Sequence, residues 1–301
     1  MDYKEFLKEI RRRIQEKADG EVRVETIKKN NSVNMDGLLI QEKGQNISPV
    51  IYLNPYYRSY LNGRDMERIA DDIYGCYLKN KPADDFDISC FTDFEQVKSR
   101  IVYRLVNYKK NKLLLKEVPY RKYLDLAVVF YFLACDAKDK GQASVLIRNE
   151  HLAYWNVSAE EVAGMAYENT PRLLEHDFVS MGQVVDGLCK GEADGEIPGT
   201  DMAGMPEMII LTNRSRLNGA ACILYPGILK EFADKTGFNF VILPSSIHEV
   251  ILVPVKEDRI PDRESICRMI CEVNETEVAD MEILSDHPYF YNRMTAQLSV
   301  A

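Results

Sequence analysis

Short apolar runs broken by tight turns constrain this chain more than any other feature. In its first part, strand-like runs at 22–28, 34–41 and 47–54 are separated by Asn30-Asn31 and by Lys43-Gly44-Gln45-Asn46. Asparagine and glycine favour tight turns because they tolerate unusual backbone angles. Strands joined by such short turns pair antiparallel, whereas parallel strands need a long crossover connection. We therefore predict an α+β protein, with antiparallel sheets and packed helices.

The last part of the chain predicts a ββαββα module over 207–301. Pro226 is placed to open its first helix and Gly237 to end it, because proline fits the first helical turn and glycine the position after the last. Asp262 is placed to cap the second helix. The predicted strands are Glu207–Thr212, Ala220–Tyr225, Asn239–Leu243 and Glu249–Val255.

A change of composition precedes this module. Residues 187–206 contain five glycines and two prolines, with few large apolar side chains to drive burial. We predict that they form a Gly-rich acidic linker between an N-terminal α+β part, 1–186, and the C-terminal module, 207–301. A further domain boundary near 82–95, within the N-terminal part, is an alternative.

Composition and charge exclude several classes of protein. The chain has 301 residues and a net charge of −9. Its longest apolar run, Leu126–Cys135, is much shorter than the roughly 18 residues that a membrane span requires. Charged residues recur through the first ten positions, so no signal peptide is expected. The seven cysteines are scattered and odd in number, which favours a reducing compartment. We predict a cytoplasmic protein without a membrane partner.

No metal site and no cofactor are predicted. Cys267 and Cys271 share one face of a predicted helix, but zinc requires about four ligands and the nearest histidine is His287. Two small residues on the flank of a helix are the simpler interpretation. The sequence has no Gly-x-Gly-x-x-Gly motif and no Walker loop, so it gives no sign of nucleotide binding.

One predicted turn carries the residue types of a hydrolase. Ser245, Ser246, His248 and Glu249 lie between two predicted strands. A nucleophilic serine needs a base within hydrogen-bond distance and a third group that orients the base. The same serines are also typical of turns, where their hydroxyl groups satisfy the backbone. We keep hydrolysis by Ser245 or Ser246 with His248 as an alternative, with Glu249 as the companion acid.

A second turn, before Asn218-Gly219, carries a candidate ligand site. Asn213, Arg214 and Arg216 combine an amide and two guanidinium groups close to exposed backbone amides. Such groups hold a carboxylate or a phosphate. The other interpretation of these residues is a solvated hairpin tip.

A basic stretch at 98–122 raises the question of nucleic-acid binding. Its candidate contacts are Arg104, Lys109, Lys110 and Lys112, and tyrosines lie among them. Aromatic rings between cations are typical of proteins that bind single strands. The net negative charge of the chain opposes this function, and an acidic protein partner or a solvated loop explains the stretch as well.

Five segments of the chain carry a family resemblance: Leu124–Tyr131, Asn169–Leu174, Leu224–Lys230, Ile242–Ile251 and Leu284–Tyr289. They resemble an uncharacterised family of proteins of unknown function that is common in gut clostridia. The segment Pro244-Ser-Ser-Ile-His-Glu249 is the most specific part of the resemblance, which covers nearly the whole chain. The resemblance implies a cytosolic bacterial protein and no particular activity, cofactor or partner.

The sequence favours a protein that acts by binding another macromolecule, without catalysis. It contains no complete set of catalytic residues at a recognisable spacing, and its 17 tyrosines are suited to contact surfaces. We predict a protein partner. The hydrolase and the nucleic-acid binder remain the alternatives.

Overall fold

The chain divides into two compact units, Met1–Ser89 and Cys90–Ala301. The structure is a computed structural model that describes residues 1–45, 47–81, 92–133, 144–182, 208–256 and 262–301. Within these ranges, no helix combines the length and the apolar character required to cross a lipid bilayer.

The first unit packs helices against a three-stranded antiparallel sheet, in the strand order β1-β2-β3. Its first helix begins at a capping box, in which Asp2 accepts the backbone N–H of Glu5 and Glu5 accepts that of Asp2. Its elements are α1 (Tyr3–Lys17), β1 (Glu21–Lys28), β2 (Asn34–Gln41), β3 (Ile51–Tyr52), α2 (Asn54–Leu61) and α3 (Met66–Asn80).

The core of this unit consists of residues of its own elements. α1 contributes residues at helical spacing, and α3 contributes a matching stripe from the other side. The buried residues are Phe6, Ile10, Ile14, Val22, Leu38, Ile40, Ile51, Leu53, Ile69, Ala70, Ile73 and Tyr77. Since these side chains cover one another, the unit has what an independent domain requires.

The second unit contains two antiparallel sheets. One has β4 and β5 on opposite sides of β6, with β7 also paired to β6; the other has the order β13-β12-β10-β11-β9-β8. Its strands are β4 (Ile101–Asn107), β5 (Tyr120–Tyr123), β6 (Leu126–Leu133), β7 (Ser144–Leu146), β8 (His176–Ser180), β9 (Ile209–Asn213), β10 (Asn239–Leu243), β11 (Val250–Val255), β12 (Tyr289–Asn292) and β13 (Gln297–Val300).

Five α-helices accompany these sheets in the described part of this unit. The longest of them, α6, packs along β4. The helices are α4 (Phe94–Val97), α5 (Asn149–Trp155), α6 (Ala159–Leu173), α7 (Ile228–Thr236) and α8 (Arg263–Thr276).

The main core takes alternate residues from both sheets. Tyr103 and Phe130 enter it from β4 and β6, and Leu211, Ile242 and Leu252 enter it from the six-stranded sheet. Because strand side chains alternate, the residues between them face the other way. On the four-stranded sheet these alternate residues form a second, smaller apolar layer, which includes Val102, Val106, Val129 and Tyr131. Leu174, the residue after α6, packs into this layer.

The predicted class is confirmed: the protein is α+β with antiparallel sheets. The predicted strand Ala220–Tyr225 is wrong, because Gly219–Leu224 forms a 3₁₀ helix. The small side chains of Gly219, Ala220 and Ala221 let this segment lie buried against β9. The order of the elements here therefore departs from ββαββα, and β12 and β13 add a further hairpin to the sheet.

The strands on either side of residues 187–206 belong to one sheet. β8 pairs antiparallel with β9, and His176 lies opposite Asn213. The linker predicted at 187–206 lies outside the described residues, so the division into 1–186 and 207–301 stays a prediction.

A fragment that contains only residues 1–89 is expected to fold alone, because its core needs no other part of the chain. A fragment of this size has modest stability, so truncating Ile10 to alanine, at an expected cost of about 2–5 kcal/mol, should unfold it. The matched variant Leu61→Ala changes an exposed side chain and should melt as the parent does. Circular dichroism melting of the three fragments measures this. A parent fragment without a cooperative transition would contradict the expectation.

Candidate functional site

A small pocket opens on the side of the four-stranded sheet that carries the second apolar layer. Its volume is about 40 Å³. At ~10–15 Å³ for each water-sized group, it takes about three such groups. The residues that define it are Arg104, Tyr131, Ser144, Leu174, Leu217 and Asn218. We call it the arginine pocket.

Strand register brings Arg104 and Tyr131 together. Val102 lies opposite Tyr131 across β4 and β6, and Arg104 lies opposite Val129. Arg104 and Tyr131 are thus diagonal neighbours on one face of the sheet. The guanidinium carbon of Arg104 lies 3.8 Å from the centre of the Tyr131 ring, so the two planes form a cation–π contact.

Arg104 has no acidic partner among the described residues. Its Nε atom is buried and makes no hydrogen bond, and the buried hydroxyl group of Tyr131 has no partner either. Burial lowers the pKa of Arg104 to about 9, so the side chain is still charged at neutral pH. Buried charges are normally paired, because removing them from water is costly. The pocket therefore holds an uncompensated positive charge.

The outer part of the Arg104 guanidinium is accessible. The side chain is only partly buried, and of its nitrogen atoms Nε alone is both enclosed and unpaired. Nη1 and Nη2 also make no hydrogen bond to the described residues, yet they are not closed off. A planar guanidinium can give two parallel hydrogen bonds to one anion, and here two donors are available for that purpose.

The turn after β9 forms one wall of the pocket. The Asn213 side chain fixes this turn, since its amide donates to the Leu217 carbonyl oxygen at 2.9 Å and its oxygen accepts from the Ser215 hydroxyl group at 2.8 Å. Arg216 and Asn218 both have left-handed backbone angles, with φ of 53° and 56°. Asn213, predicted as a ligand-binding residue, is thus buried and occupied with shaping the turn that presents Leu217 and Asn218.

His248 holds the same turn from the other side. Its Nδ1 accepts the backbone N–H of Asn218 at 3.1 Å, and its carbonyl oxygen accepts the Thr212 hydroxyl group at 2.8 Å. Its Nε2 lies 3.7 Å from a carboxylate oxygen of Glu282. The acid beside this histidine is therefore Glu282, which the sequence did not single out.

The hydrolase candidates share one turn but form no nucleophile–base pair among the described residues. The Ser246 hydroxyl group accepts the backbone N–H of His248 at 3.0 Å, and the Ser245 backbone N–H donates to the Leu243 carbonyl oxygen. Glu249 accepts the backbone N–H of Ser246 through its own carbonyl oxygen. These contacts are those of a turn, and the hydrolase stays a prediction that this geometry does not favour.

The remaining predicted basic residues lie outside the pocket. Arg214 is exposed and pairs with Glu175 at 2.6 Å, and Arg216 is exposed at the tip of the turn. Lys109, Lys110 and Lys112 follow the end of β4, and Lys110 lies 3.7 Å from Asp286. The structure thus separates Arg104 from the lysines with which the sequence grouped it, and nucleic-acid binding stays a prediction.

Two other clusters of polar side chains lie in the second unit. Cys267 and Cys271 line an open cavity along α8, where burial raises the pKa of the Cys271 thiol above its ordinary value. Across the described ranges, no three residues among histidine, cysteine, aspartate and glutamate are grouped to hold a metal ion. Asp125 is already engaged, since its carboxylate accepts hydroxyl groups from Ser285 at 2.6 Å and Tyr289 at 2.8 Å.

Sequence reasoning missed Tyr131, Leu174 and Leu217 as pocket residues. It named Arg104, but for a different function. The available signal was that Arg104 is the one charged residue in the apolar strand Ile101–Asn107. A charge in such a position either has a buried partner or serves a ligand.

The fold and the pocket together define an α+β protein of two compact units, the second of which carries a small pocket lined by an unpaired arginine. A family model described as "Family of unknown function (DUF5688)" matches residues 3–293, and the chain belongs to this family. The resemblance to an uncharacterised family is thereby confirmed, whereas the clostridial origin stays a prediction. No curated protein and no solved structure matches the chain.

Replacing Gly219 with alanine is expected to destabilise the wall of the pocket. A Cβ atom there would lie 2.3 Å from the Thr212 hydroxyl oxygen and 2.5 Å from the His248 carbonyl oxygen. Overpacking of this kind costs about 1–3 kcal/mol. Gly164→Ala is the control, because nothing lies within 4 Å of its added Cβ and alanine favours the helix. Urea unfolding should show a lower free energy of unfolding for Gly219→Ala only. Equal free energies of unfolding for the two variants would contradict the expected crowding at Gly219.

Replacing Arg104 with methionine is expected to leave stability unchanged or to raise it by about 1 kcal/mol, because an apolar chain of similar length removes a buried unpaired charge. Arg100→Met is the matched control. Arg100 donates to the carbonyl oxygens of Leu133 and Gln96, and losing such bonds costs about 1–3 kcal/mol. Chemical unfolding of both variants measures this. If Arg104→Met lowers the free energy of unfolding more than Arg100→Met does, Arg104 stabilises the fold and the expectation is wrong.

Proposed function

We propose that this protein acts by binding, without catalysis, and that it holds an anionic group of its partner in the arginine pocket. The proposal depends on one observation: Arg104 is charged, partly buried and without an acidic partner among the described residues. Such a charge is costly in the free protein, and an anion that enters the pocket removes that cost. A bound anion would then receive charge-assisted hydrogen bonds, which are about twice as strong as neutral ones.

The groups around the pocket support binding over catalysis. Beside Arg104 they are a tyrosine, a serine and an asparagine, together with leucine side chains. A general acid–base reaction uses a histidine, carboxylate or other group with a pKa close to the working pH. None of the described histidines or carboxylates lines this pocket.

The size of the pocket supports a partner larger than the group it holds. About 40 Å³ accepts a single anionic group, so the rest of the ligand must lie outside. Leu217 is 42% exposed at this position and offers it an apolar contact. The proposal includes the protein partner and the cytoplasmic location that the sequence favours.

An anion that binds the native pocket should raise the melting temperature of the protein by mass action. At ten times its Kd it adds about 1.4 kcal/mol, which corresponds to about 2–6 °C for a unit of this size. The measurement compares sodium acetate and sodium phosphate with sodium chloride at constant ionic strength. We expect at least one of the two anions to stabilise the intact chain.

Variants test whether the rise in melting temperature comes from anion binding in the arginine pocket. Arg104→Met should abolish it, and Arg104→Lys should weaken it, because lysine keeps the charge but loses the planar pair of donors. Arg100→Met should keep it, although this variant melts at a lower temperature. If neither anion stabilises the protein, or if Arg104→Met responds as the native chain does, the proposed function is wrong.

A further inference from the structure

We infer that the anionic group is a carboxylate attached next to an apolar side chain, and not a phosphate. This inference rests on the proposed function, because it requires that Arg104 is a binding residue. Three properties of the pocket lead to it: its charge, its shape and the nature of its walls.

The pocket offers a single positive charge. Arg104 is its only cation among the described residues, and its other polar side chains, such as Ser144 and Asn218, are neutral. At the neighbouring surface, Arg214 pairs with Glu175, and Arg172 donates to Asn169 and to the Ser99 carbonyl oxygen. Arg216 is exposed and does not line the pocket. One cation neutralises a carboxylate, whereas a phosphate monoester carries about 1.5–2 charges at neutral pH.

The shape of the pocket favours a planar group. The ring of Tyr131 lies against one face of the guanidinium and fixes its plane. The accessible edge then presents Nη1 and Nη2 side by side, which matches the two oxygens of a carboxylate. The pocket is small, at about 40 Å³, so it takes a single compact group of a ligand.

Part of the pocket wall is apolar. Leu133, Leu174 and Leu217 line it, and Leu217 is substantially exposed. An apolar side chain next to the carboxylate would cover these leucines, and each buried methylene contributes about 0.8 kcal/mol in general. A ligand with its carboxylate on a polar chain would leave them uncovered.

Two sources present this chemistry. The carboxyl terminus of a protein that ends in an apolar residue carries a carboxylate beside such a side chain, and backbone capture of C-terminal carboxylates is a recurrent mode of recognition. A free branched-chain acid carries the same two groups. N-acetyl-leucine imitates the first source and isovalerate imitates the second.

The test follows the Arg104 side-chain Nε–Hε resonance of the ¹⁵N-labelled full chain by NMR, assigned from its absence in Arg104→Lys. We expect N-acetyl-leucine to shift this resonance with saturation. N-acetyl-leucinamide, which lacks the charge, should leave it unchanged. Inorganic phosphate at equal ionic strength should bind at least ten-fold more weakly, and N-acetylglycine about five-fold more weakly than N-acetyl-leucine.

Leu217→Ala provides the matched variant, because this exposed side chain can be shortened without disturbing a core. The variant should lose about five-fold in affinity for N-acetyl-leucine and little for N-acetylglycine. An equal loss for both ligands would overturn the apolar part of the inference.

The outcomes separate this inference from the proposed function. If phosphate shifts the Arg104 resonance and binds as tightly as N-acetyl-leucine, the assignment of the ligand as a carboxylate is wrong, whereas the proposed anion-binding function is supported. If no anion shifts the resonance, both fail. Tighter binding of N-acetyl-leucine than of isovalerate supports a protein partner. Equal or tighter binding of isovalerate contradicts the proposal of a protein partner but supports the assignment of the ligand as a carboxylate.

Discussion

The antiparallel pairing of β4 with β6 is the interaction on which the rest of the second unit depends. Its seven-residue register sends Tyr103 and Phe130 into the main core and Arg104 and Tyr131 to the opposite face. Because the side-chain period is two, a slip of one residue would exchange these faces and place the guanidinium in the main core. The same pairing that encloses the core therefore determines where the unpaired charge lies, and the chemistry of the pocket is a consequence of the register.

Local patterns in the sequence were sufficient for the class of fold but not for every element. Turn residues and apolar runs predicted antiparallel strands in both halves, because those signals act over a few residues. The strand predicted at 220–225 is wrong for a physical reason. Its first three residues, Ala220, Ala221 and Cys222, are small, and a 3₁₀ helix buries them as completely as a strand would. The pairings of β8 with β9 and of β10 with β12 depend on contacts between distant residues, which no local pattern contains.

In the candidate site, too, the sequence indicates residues that are close along the chain but not those that the fold brings together. Ser246, His248 and Asn213 are polar residues close together in turns, and the structure uses them to satisfy the backbone of those turns. Polar residues in turns commonly serve this purpose, so their proximity in sequence carried little information about chemistry. Arg104 was grouped with the lysines that follow it, although alternation along β4 directs its side chain to a pocket that none of them lines. Its actual neighbours, Leu174 and Leu217, approach it through the tertiary fold.

Arg104 differs from Asp125 and Asn274 in the state of its hydrogen bonds. Asp125 accepts two hydroxyl groups, and Asn274 donates to the Ser285 carbonyl oxygen and to Asp286, so these groups are paired within the fold. Arg104 receives a stacking contact from Tyr131 and no hydrogen bond from the described residues. A charge that stabilises the fold would be paired within it. Arg104 is oriented by an aromatic ring and is unpaired at a cavity, as expected for a residue that binds an external ligand. Its single charge, its planar pair of donors and the leucine side chains around it restrict the chemical class of that ligand.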